Sequence, residues 1–133
     1  MIEWNEKLST GISIIDEEHK KFINIINSTV VATQDEKNPE KIENVLHEMI
    51  DFAWDHFKTE EFYMKEFNYS EYQGHKEEHL DFIHRTISYF DRAAKGNYNM
   101  ANEILEYLKQ WLANHVQITD QKYSECFIKN GLK

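Results

Sequence analysis

Residues that form turns are scarce in this chain, and their scarcity limits the folds open to it. The 133 residues include four glycines and one proline. A sandwich or barrel of many strands needs frequent turns, and Gly and Pro supply most of them. A chain of this length can bury one substantial core without disulfide bonds or metal clips. We therefore expect an all-α fold organised as a single domain over residues 1–133.

Two helices are predicted in the first half of the chain from apolar residues spaced three and four positions apart. The first extends from about Asp16, a suitable N-cap, to about Ala32. The second follows an expected N-cap at Asn38, with Pro39 in the first helical position, and continues to about Phe67. This second helix is about 28 residues long, or about 42 Å at the usual rise per residue.

Two further helices are predicted in the second half. The third opens at Ser70 with a capping-box pattern over residues 70–73 and stops at Gly96. The fourth starts near Asn99 and includes His115. Short connections between long helices favour antiparallel neighbours, so we expect an up-down-up-down four-helix bundle. Residues 1–15 lack a sustained period and are interpreted as an N-terminal arm packed on the bundle.

The charge balance and cysteine content exclude several partners. Acidic residues outnumber basic ones by 24 to 15, and the formal net charge is −9. Such a chain repels nucleic-acid phosphates and anionic lipid, so neither is an expected partner. Cys126 is the single cysteine, which excludes an intrachain disulfide framework and a cysteine zinc finger. With no apolar leader and no run of 18 apolar residues, the chain is expected to be cytoplasmic and not membrane-bound.

Several polar residues lie on the predicted apolar faces of the helices. A buried polar group without a partner costs several kcal/mol, so these residues need partners inside the bundle. Each of the four helices supplies at least one of them. The set consists of His19, His56, Glu60, His75, His79 and His115.

The spacing of these residues supports a shared partner. Two pairs are four residues apart and project from one helix face: His56 with Glu60, and His75 with His79. His115 and Asp120 are five residues apart, which corresponds to about 140° around a regular helix. For both to point inward, the helix must end, widen or carry a π-bulge between them. We therefore expect an irregular backbone over residues 116–119.

The joint pattern matches a known family from Trp4 almost to the C-terminus. Its motifs are Ile15-Asp16-x-x-His19, His56-Phe57-x-x-Glu60-Glu61-x-x-Met64 with Tyr69, His75-x3-His79-x2-Phe82, and Trp111-Leu112-x-x-His115-x4-Asp120-x-x-Tyr123. Together they resemble the hemerythrin family in its single-domain bacterial form. One departure is Glu18, where the family usually has Gln before the first histidine. It adds a charge near the site and removes no ligand.

The resemblance implies a non-haem di-iron centre. One iron would be bound by His75, His79 and His115, the other by His19 and His56, with Glu60, Asp120 and an oxo or hydroxo group bridging them. Two six-coordinate irons offer about twelve positions, and this set fills about eleven. The open position, on the iron with two histidines, is where dioxygen can bind. The expected function is reversible dioxygen binding for storage, delivery to an oxygen-requiring enzyme, or scavenging.

A dry apolar wall is expected around the bound oxygen. Without a second acid nearby, nothing protonates and cleaves the O–O bond, and a carrier keeps its oxygen intact. Side chains within about one turn of the ligands are the candidates for this wall. They are Phe22, Phe57, Leu112 and Val116, with Trp111 as a further candidate.

The remaining polar residues are interpreted as bystanders. His47 and His84 match no part of the motif and are expected at the surface or as satisfied core residues. Glu61 is expected to be a solvated charge rather than a hydrogen-bond partner of a ligand. Cys126 is expected to be a passive thiol, because no base stands beside it in the sequence.

Other functions fit these residues less well than oxygen binding. A buried polar network without metal would specify a core poorly, and zinc prefers four ligands rather than seven. A ferritin-like centre would need Glu-x-x-His motifs, and none of the seven histidines has Glu three residues before it. The same open site would also serve a di-iron peroxidase, a detoxifier of peroxide or nitric oxide, or a stand-alone oxygen sensor. We expect no dedicated enzymatic activity.

Overall fold

Four long helices and one short helix account for most of the chain. The computed structural model describes residues 2–33, 39–96 and 100–132. The helices are α1 (Ser13–Thr33), α2 (Pro39–Glu66), α3 (Tyr72–Ala94), α4 (Ala101–Trp111) and α5 (Ser124–Lys129). A π-helix (Leu112–Thr119) and a 3-10 helix (Asp120–Tyr123) join α4 to α5. None of the described helices is long and apolar enough to cross a membrane.

The long helices form the predicted up-down-up-down antiparallel four-helix bundle. Helix α1 packs against α2 and α4, and α2 packs against α3. One buried apolar cluster runs through the bundle, and its fully buried members include Ile26, Met49, Phe82 and Leu108. Most of the apolar residues of helix α1 lie on its buried side, and burial of this apolar side drives its packing.

The N-terminal arm packs on the bundle, as expected. The Ile2 backbone N–H donates to Asn27 Oδ1 at 3.0 Å, and Asn27 Nδ2 donates back to the Ile2 carbonyl at 2.8 Å. A 3-10 turn (Glu6–Leu8) buries Leu8 in the main apolar cluster. Near the other end of the chain, Gln121 Nε2 donates to the Leu8 carbonyl at 3.3 Å. The arm is therefore hydrogen-bonded both to α1 and to the segment that follows α4.

Helix α1 begins three residues before the predicted start. It starts at Ser13, so the prediction of Asp16 as its N-cap is wrong. The Asp16 carboxylate instead accepts hydrogen bonds from the Thr10 backbone N–H at 2.7 Å and from the Ser9 hydroxyl at 2.6 Å. These bonds close the turn at Gly11, whose φ of +77° suits glycine. Asp16 thus holds the arm against the first turn of α1.

The connection between α2 and α3 also differs from prediction. The capping box expected at Ser70 is wrong, because α3 begins at Tyr72 and follows Glu71, whose side chain caps no backbone N–H. The Glu71 carboxylate accepts from the Tyr69 hydroxyl at 3.2 Å instead. The predicted stop at Gly96 is confirmed, because this residue follows the end of α3 with φ +87°. The expected N-cap at Asn38 lies outside the described residues, as does Asn99, near which the fourth helix was expected to start; α4 begins at Ala101.

The irregular backbone expected after His115 is present. The π-helix covers residues 112–119, and the Asp120 backbone N–H donates to the His115 carbonyl, the five-residue hydrogen bond of a π turn. This wider turn brings residues five apart onto one face. His115 and Asp120 accordingly both point inward and are each 1% exposed. The conflict seen in the sequence is resolved by a change of helix type.

Candidate metal centre

The structure brings all seven predicted ligands together inside the bundle. None of them is more than 4% exposed. Helix α1 supplies one, α2 and α3 supply two each, and the segment after α4 supplies the last two. The residues are His19, His56, Glu60, His75, His79, His115 and Asp120.

Five of these residues form one group of converging side chains. Their nearest nitrogen and oxygen atoms all lie within 4.8 Å of one another. Asp120 Oδ1 is 2.8 Å from His75 Nε2 and 3.0 Å from His115 Nε2. Glu60 Oε1 is 3.5 Å from His79 Nε2. Three imidazoles therefore face two carboxylates in this group.

A second group shares a carboxylate with the first. It consists of His19, His56 and Glu60. Glu60 Oε1 is 3.1 Å from His56 Nε2, and Asp120 Oδ2 is 3.2 Å from His19 Nε2. Asp120 thus turns one oxygen toward each group. Both carboxylates lie between the two sets of imidazoles.

Most of the converging atoms have no hydrogen-bond partner among the described residues. The distances between these atoms are short, but the angles are not those of hydrogen bonds. The atoms without a partner are His19 Nε2, His56 Nε2, His75 Nε2, Glu60 Oε1 and both Asp120 carboxylate oxygens. Leaving one such buried group unpaired costs about 1–3 kcal/mol. Nitrogen and carboxylate oxygen atoms that converge unpaired fit a site for metal cations, which would satisfy them together.

Three carboxylates hold the outer nitrogens of the histidines. Glu18 Oε2 accepts from His56 Nδ1 at 2.7 Å, Glu61 Oε2 from His79 Nδ1 at 2.9 Å, and Glu78 Oε1 from His115 Nδ1 at 3.0 Å. An Nδ1–H bonded to a carboxylate fixes the tautomer in which the Nε2 lone pair is free to bind a metal. Each of the three rings is thereby oriented toward the centre.

The sequence interpretation of these outer carboxylates was incomplete. The prediction that Glu61 is a solvated charge is wrong, because its side chain is 19% exposed and bound to His79. Glu78 was missed. Its partner His115 lies on another segment, so no spacing within one helix reveals the pair. Its position three residues after His75, beside the buried face of α3, is the only sequence signal.

A tyrosine and a threonine add further hydrogen bonds around the ligands. The buried Tyr123 hydroxyl donates to Glu60 Oε2 through a short hydrogen bond. Burial and then the charges of Glu60 and Asp120 raise the pKa of Tyr123, so it stays a donor. The Thr119 hydroxyl donates to Glu78 Oε1 at 3.1 Å. These bonds fix the carboxylates as well as the imidazoles.

The electrostatics of the centre favour positive charge. Burial alone would lower the pKa of His56, but the charges of Glu60 and Glu18 raise it to about 10. Burial acts on the pKa of His115 in the same way, and Asp120 and Glu78 raise it to about 9. The carboxylates therefore attract protons when no other cation is present. A bound metal would supply the same positive charge.

Aromatic rings pack directly against the imidazoles. Phe57 stacks on His79 with ring centroids 3.9 Å apart, and Trp111 stacks on His115 at 4.0 Å. The ring centroids of Phe22 and His56 are 6.4 Å apart. The four predicted wall residues are buried in the main apolar cluster: Phe22, Phe57, Leu112 and Val116. Their role around a bound ligand stays a prediction.

Two small cavities reach the histidines from the surface. One, of about 220 Å³, lies between α2 and α3 and is lined by Phe57, His79 and Leu80, among others. The other, of about 80 Å³, is lined by His75, Glu78 and polar neighbours. The centre is thus buried, and each cavity is lined by one of its histidines.

Apart from Glu61, the polar residues to which the sequence analysis assigns no role at the site make their contacts elsewhere. His47 is exposed and pairs with Asp51 at 3.2 Å, and His84 is exposed on α3, so the surface prediction holds for both. Cys126 is partly buried, and its thiol donates to the Phe67 carbonyl at 3.7 Å.

Comparisons with known proteins agree with this geometry. Residues 10–126 match the family model described as the hemerythrin HHE cation binding domain. Bacteriohemerythrin of Stenotrophomonas maltophilia is 32% identical over 94% of this chain and 80% of its own length. Bacteriohemerythrin of Pseudomonas aeruginosa is 33% identical over 92% of this chain and 79% of its own. A wild-type hemerythrin crystal structure superposes with a TM-score of 0.88 at 23% identity, covering 96% of this chain and 98% of the other. The chain belongs to the hemerythrin family.

Proposed function

We propose that this protein binds dioxygen reversibly at a pair of non-haem irons. One iron would be held by three histidines and the other by two, with two bridging carboxylates and an oxo or hydroxo group between them. His75, His79 and His115 would hold the first iron, His19 and His56 would hold the second, and Glu60 and Asp120 would bridge them.

The observation that carries the proposal is the set of unpaired ligand atoms shared between two groups. Glu60 belongs to both groups, and Asp120 turns one oxygen toward His19 and the other toward His75. A single ion would leave one group of histidines unsatisfied. Two ions joined by these carboxylates would satisfy both groups, which supports a dinuclear centre.

The donor set favours iron used for binding rather than for strong oxidation. Seven nitrogen- and oxygen-donating residues exceed the four ligands of a tetrahedral zinc site. Five of the seven are imidazoles, which suit iron, and only two are carboxylates. Carboxylate-rich di-iron sites in ferritin-like bundles use Glu-x-x-His motifs, which this chain does not contain.

The protein's own residues would make oxygen binding reversible. When bound, a pair of ferrous ions would supply the electrons that dioxygen accepts. Phe22 and Phe57 beside the histidines would exclude water. The Tyr123 hydroxyl is already committed to Glu60 and is therefore a poor proton source for breaking the O–O bond.

This function suits storage of oxygen, its delivery to an oxygen-consuming enzyme, or scavenging. The direct test is an iron count combined with visible spectra of the reduced protein before and after exposure to oxygen. We expect two irons per chain and a colour change that reverses when oxygen is removed. One metal per chain, or a change that does not reverse, contradicts the proposal.

Turnover experiments distinguish this function from an enzyme that uses the same site. Stopped-flow mixing of the reduced protein with peroxide and an excess of reductant should give little sustained turnover. Fast multiple turnover would instead identify the protein as a peroxidase or detoxifying enzyme.

A further inference from the structure

A second polar site lies between α3 and α4, away from the metal centre. It is a cavity of about 590 Å³, and none of the seven proposed metal ligands lines it. Pockets of about 300–1,000 Å³ are the usual size for small-molecule ligands. Its polar lining includes Arg85, Tyr89, Arg92, Asp81, Glu103 and Tyr107. Nothing in the proposed oxygen chemistry uses these residues.

The cavity contains both arginines of an otherwise acidic chain. The sequence has 13 lysines but only two arginines, and Arg85 and Arg92 stand seven residues apart, two turns along one face of α3. Arg92 uses only Nη1 to bind both oxygens of Glu103, at 3.0 and 3.1 Å. Arg85 lies 5.2 Å from the centre of the Tyr107 ring and forms no ion pair among the described residues. Several guanidinium N–H donors are therefore available to an anion.

A buried hydroxyl in the cavity wall also lacks an acceptor. Tyr89 is 1% exposed, and its hydroxyl proton has no acceptor among the described residues. Burial and then the charge of Glu103 raise the pKa of Tyr89, and a hydrogen bond from the Arg85 guanidinium and its charge partly offset that rise. The hydroxyl is thus a neutral donor with no acceptor. A buried donor of this kind lowers stability unless a ligand pairs with it.

We propose that this cavity binds a small phosphate monoester that also carries hydroxyl groups. The planar fork of Arg85, the free N–H groups of Arg92 and the Tyr89 hydroxyl would bind the phosphate oxygens. The carboxylates of Asp81 and Glu103 would accept hydrogen bonds from ligand hydroxyls. Because the same carboxylates repel a bare dianion, hydroxyl groups are needed for tight binding.

Calorimetric titration of the metal-loaded protein with ribose 5-phosphate tests this site. We expect saturable binding of one molecule per chain, weakened at least tenfold by Arg85→Ala. Lys95→Ala is the matched control, because Lys95 lies beyond the end of α3, outside the cavity lining, and pairs with Asp91 at the surface. It should bind like the parent protein.

Tyr89→Phe separates a binding role from a structural one. It removes an unpaired hydroxyl and keeps the ring, so the thermal midpoint should stay level or rise while the affinity for ribose 5-phosphate falls several-fold. If Tyr89→Phe binds ribose 5-phosphate as tightly as the parent protein does, the proposal is overturned. So would the absence of saturable binding, inorganic phosphate binding as tightly as ribose 5-phosphate, or equal losses in Arg85→Ala and Lys95→Ala.

Discussion

Glu18 binds the outer nitrogen of His56, and Glu18→Gln is the sharpest test of the outer carboxylates. The Glu18 carboxylate accepts from His56 Nδ1 at 2.7 Å, the shortest of the three outer contacts. Gln keeps an acceptor oxygen at nearly the same position but removes the charge. The substitution therefore isolates the electrostatic part of the hydrogen bond.

The size of the effect follows from the hydrogen bond and its exposure. A hydrogen bond to a charged group contributes about 1.5–3 kcal/mol and a neutral one about 0.5–1.5 kcal/mol. Because Glu18 is 24% exposed, solvent screens part of its charge. We therefore take the small end of the difference between a charged and a neutral hydrogen bond, about 1 kcal/mol. That corresponds to about fivefold in affinity for the metal held by His56. Glu18→Ala removes the acceptor altogether and should cost about 10- to 100-fold.

Competition with a chelator under reducing conditions measures both losses. Glu17→Gln is the matched control, because Glu17 is the neighbouring residue, is 67% exposed and, within the part of the chain that the structure describes, pairs only with Lys20. We expect the control to retain the affinity of the parent protein. If Glu18→Gln binds metal like the parent, or if Glu17→Gln weakens it equally, the hydrogen bond to His56 is not the cause.

Four further perturbations test other parts of the account. Tyr123→Phe removes the buried donor to Glu60 and should lower the free energy of unfolding by about 1–3 kcal/mol, measured by denaturant titration; an unchanged value contradicts the bond. Leu112→Gln should admit water and shorten the lifetime of the oxygenated form, followed by visible absorption, and an equal lifetime counts against the apolar wall. The metal-free protein should lose stability as pH rises from 6.5 to about 10, because the pKa of His115 is raised to about 9 and that of His56 to about 10. Above these pKa values the two histidines lose the protons that pair them with buried carboxylates. A thermal unfolding midpoint that does not change with pH refutes this. His56→Ala should lose iron and thermal stability together, and a stable variant with full iron content would show that this ligand is dispensable.

The bundle and the converging residues could be predicted from the sequence because both depend on periodicity. Five histidines repeat in phase with the core residues of their helices, and that phase alone directs them inward. The break after His115 was also predictable, since two inward residues five positions apart do not fit a regular helix. A π-helix over residues 112–119 provides the extra width.

Helix ends were harder to predict because they depend on tertiary contacts. Asp16 has the chemistry of an N-cap, but its carboxylate binds Ser9 and Thr10 of the arm, and α1 starts earlier. Ser70 matches a capping box, yet the helix begins after Glu71. At Asp16 the local pattern is overridden by the packing of the neighbouring arm.

The outer carboxylates show the same limit at the candidate site. Glu61 and Glu78 each bind a histidine on a different segment, His79 and His115 respectively. Spacing within one helix cannot reveal such a pair, because the contact exists only once the helices are side by side. Charged residues at the edge of a buried face are therefore candidates for ligand partners whenever that face carries histidines.

The central claim is that seven buried residues enclose two irons. Anomalous diffraction at the iron edge from crystals of the iron-loaded protein tests it directly. We predict two peaks, one among His75, His79 and His115 and one beside His19 and His56, with the shared carboxylates between them. A single peak, or peaks elsewhere in the molecule, would contradict the account.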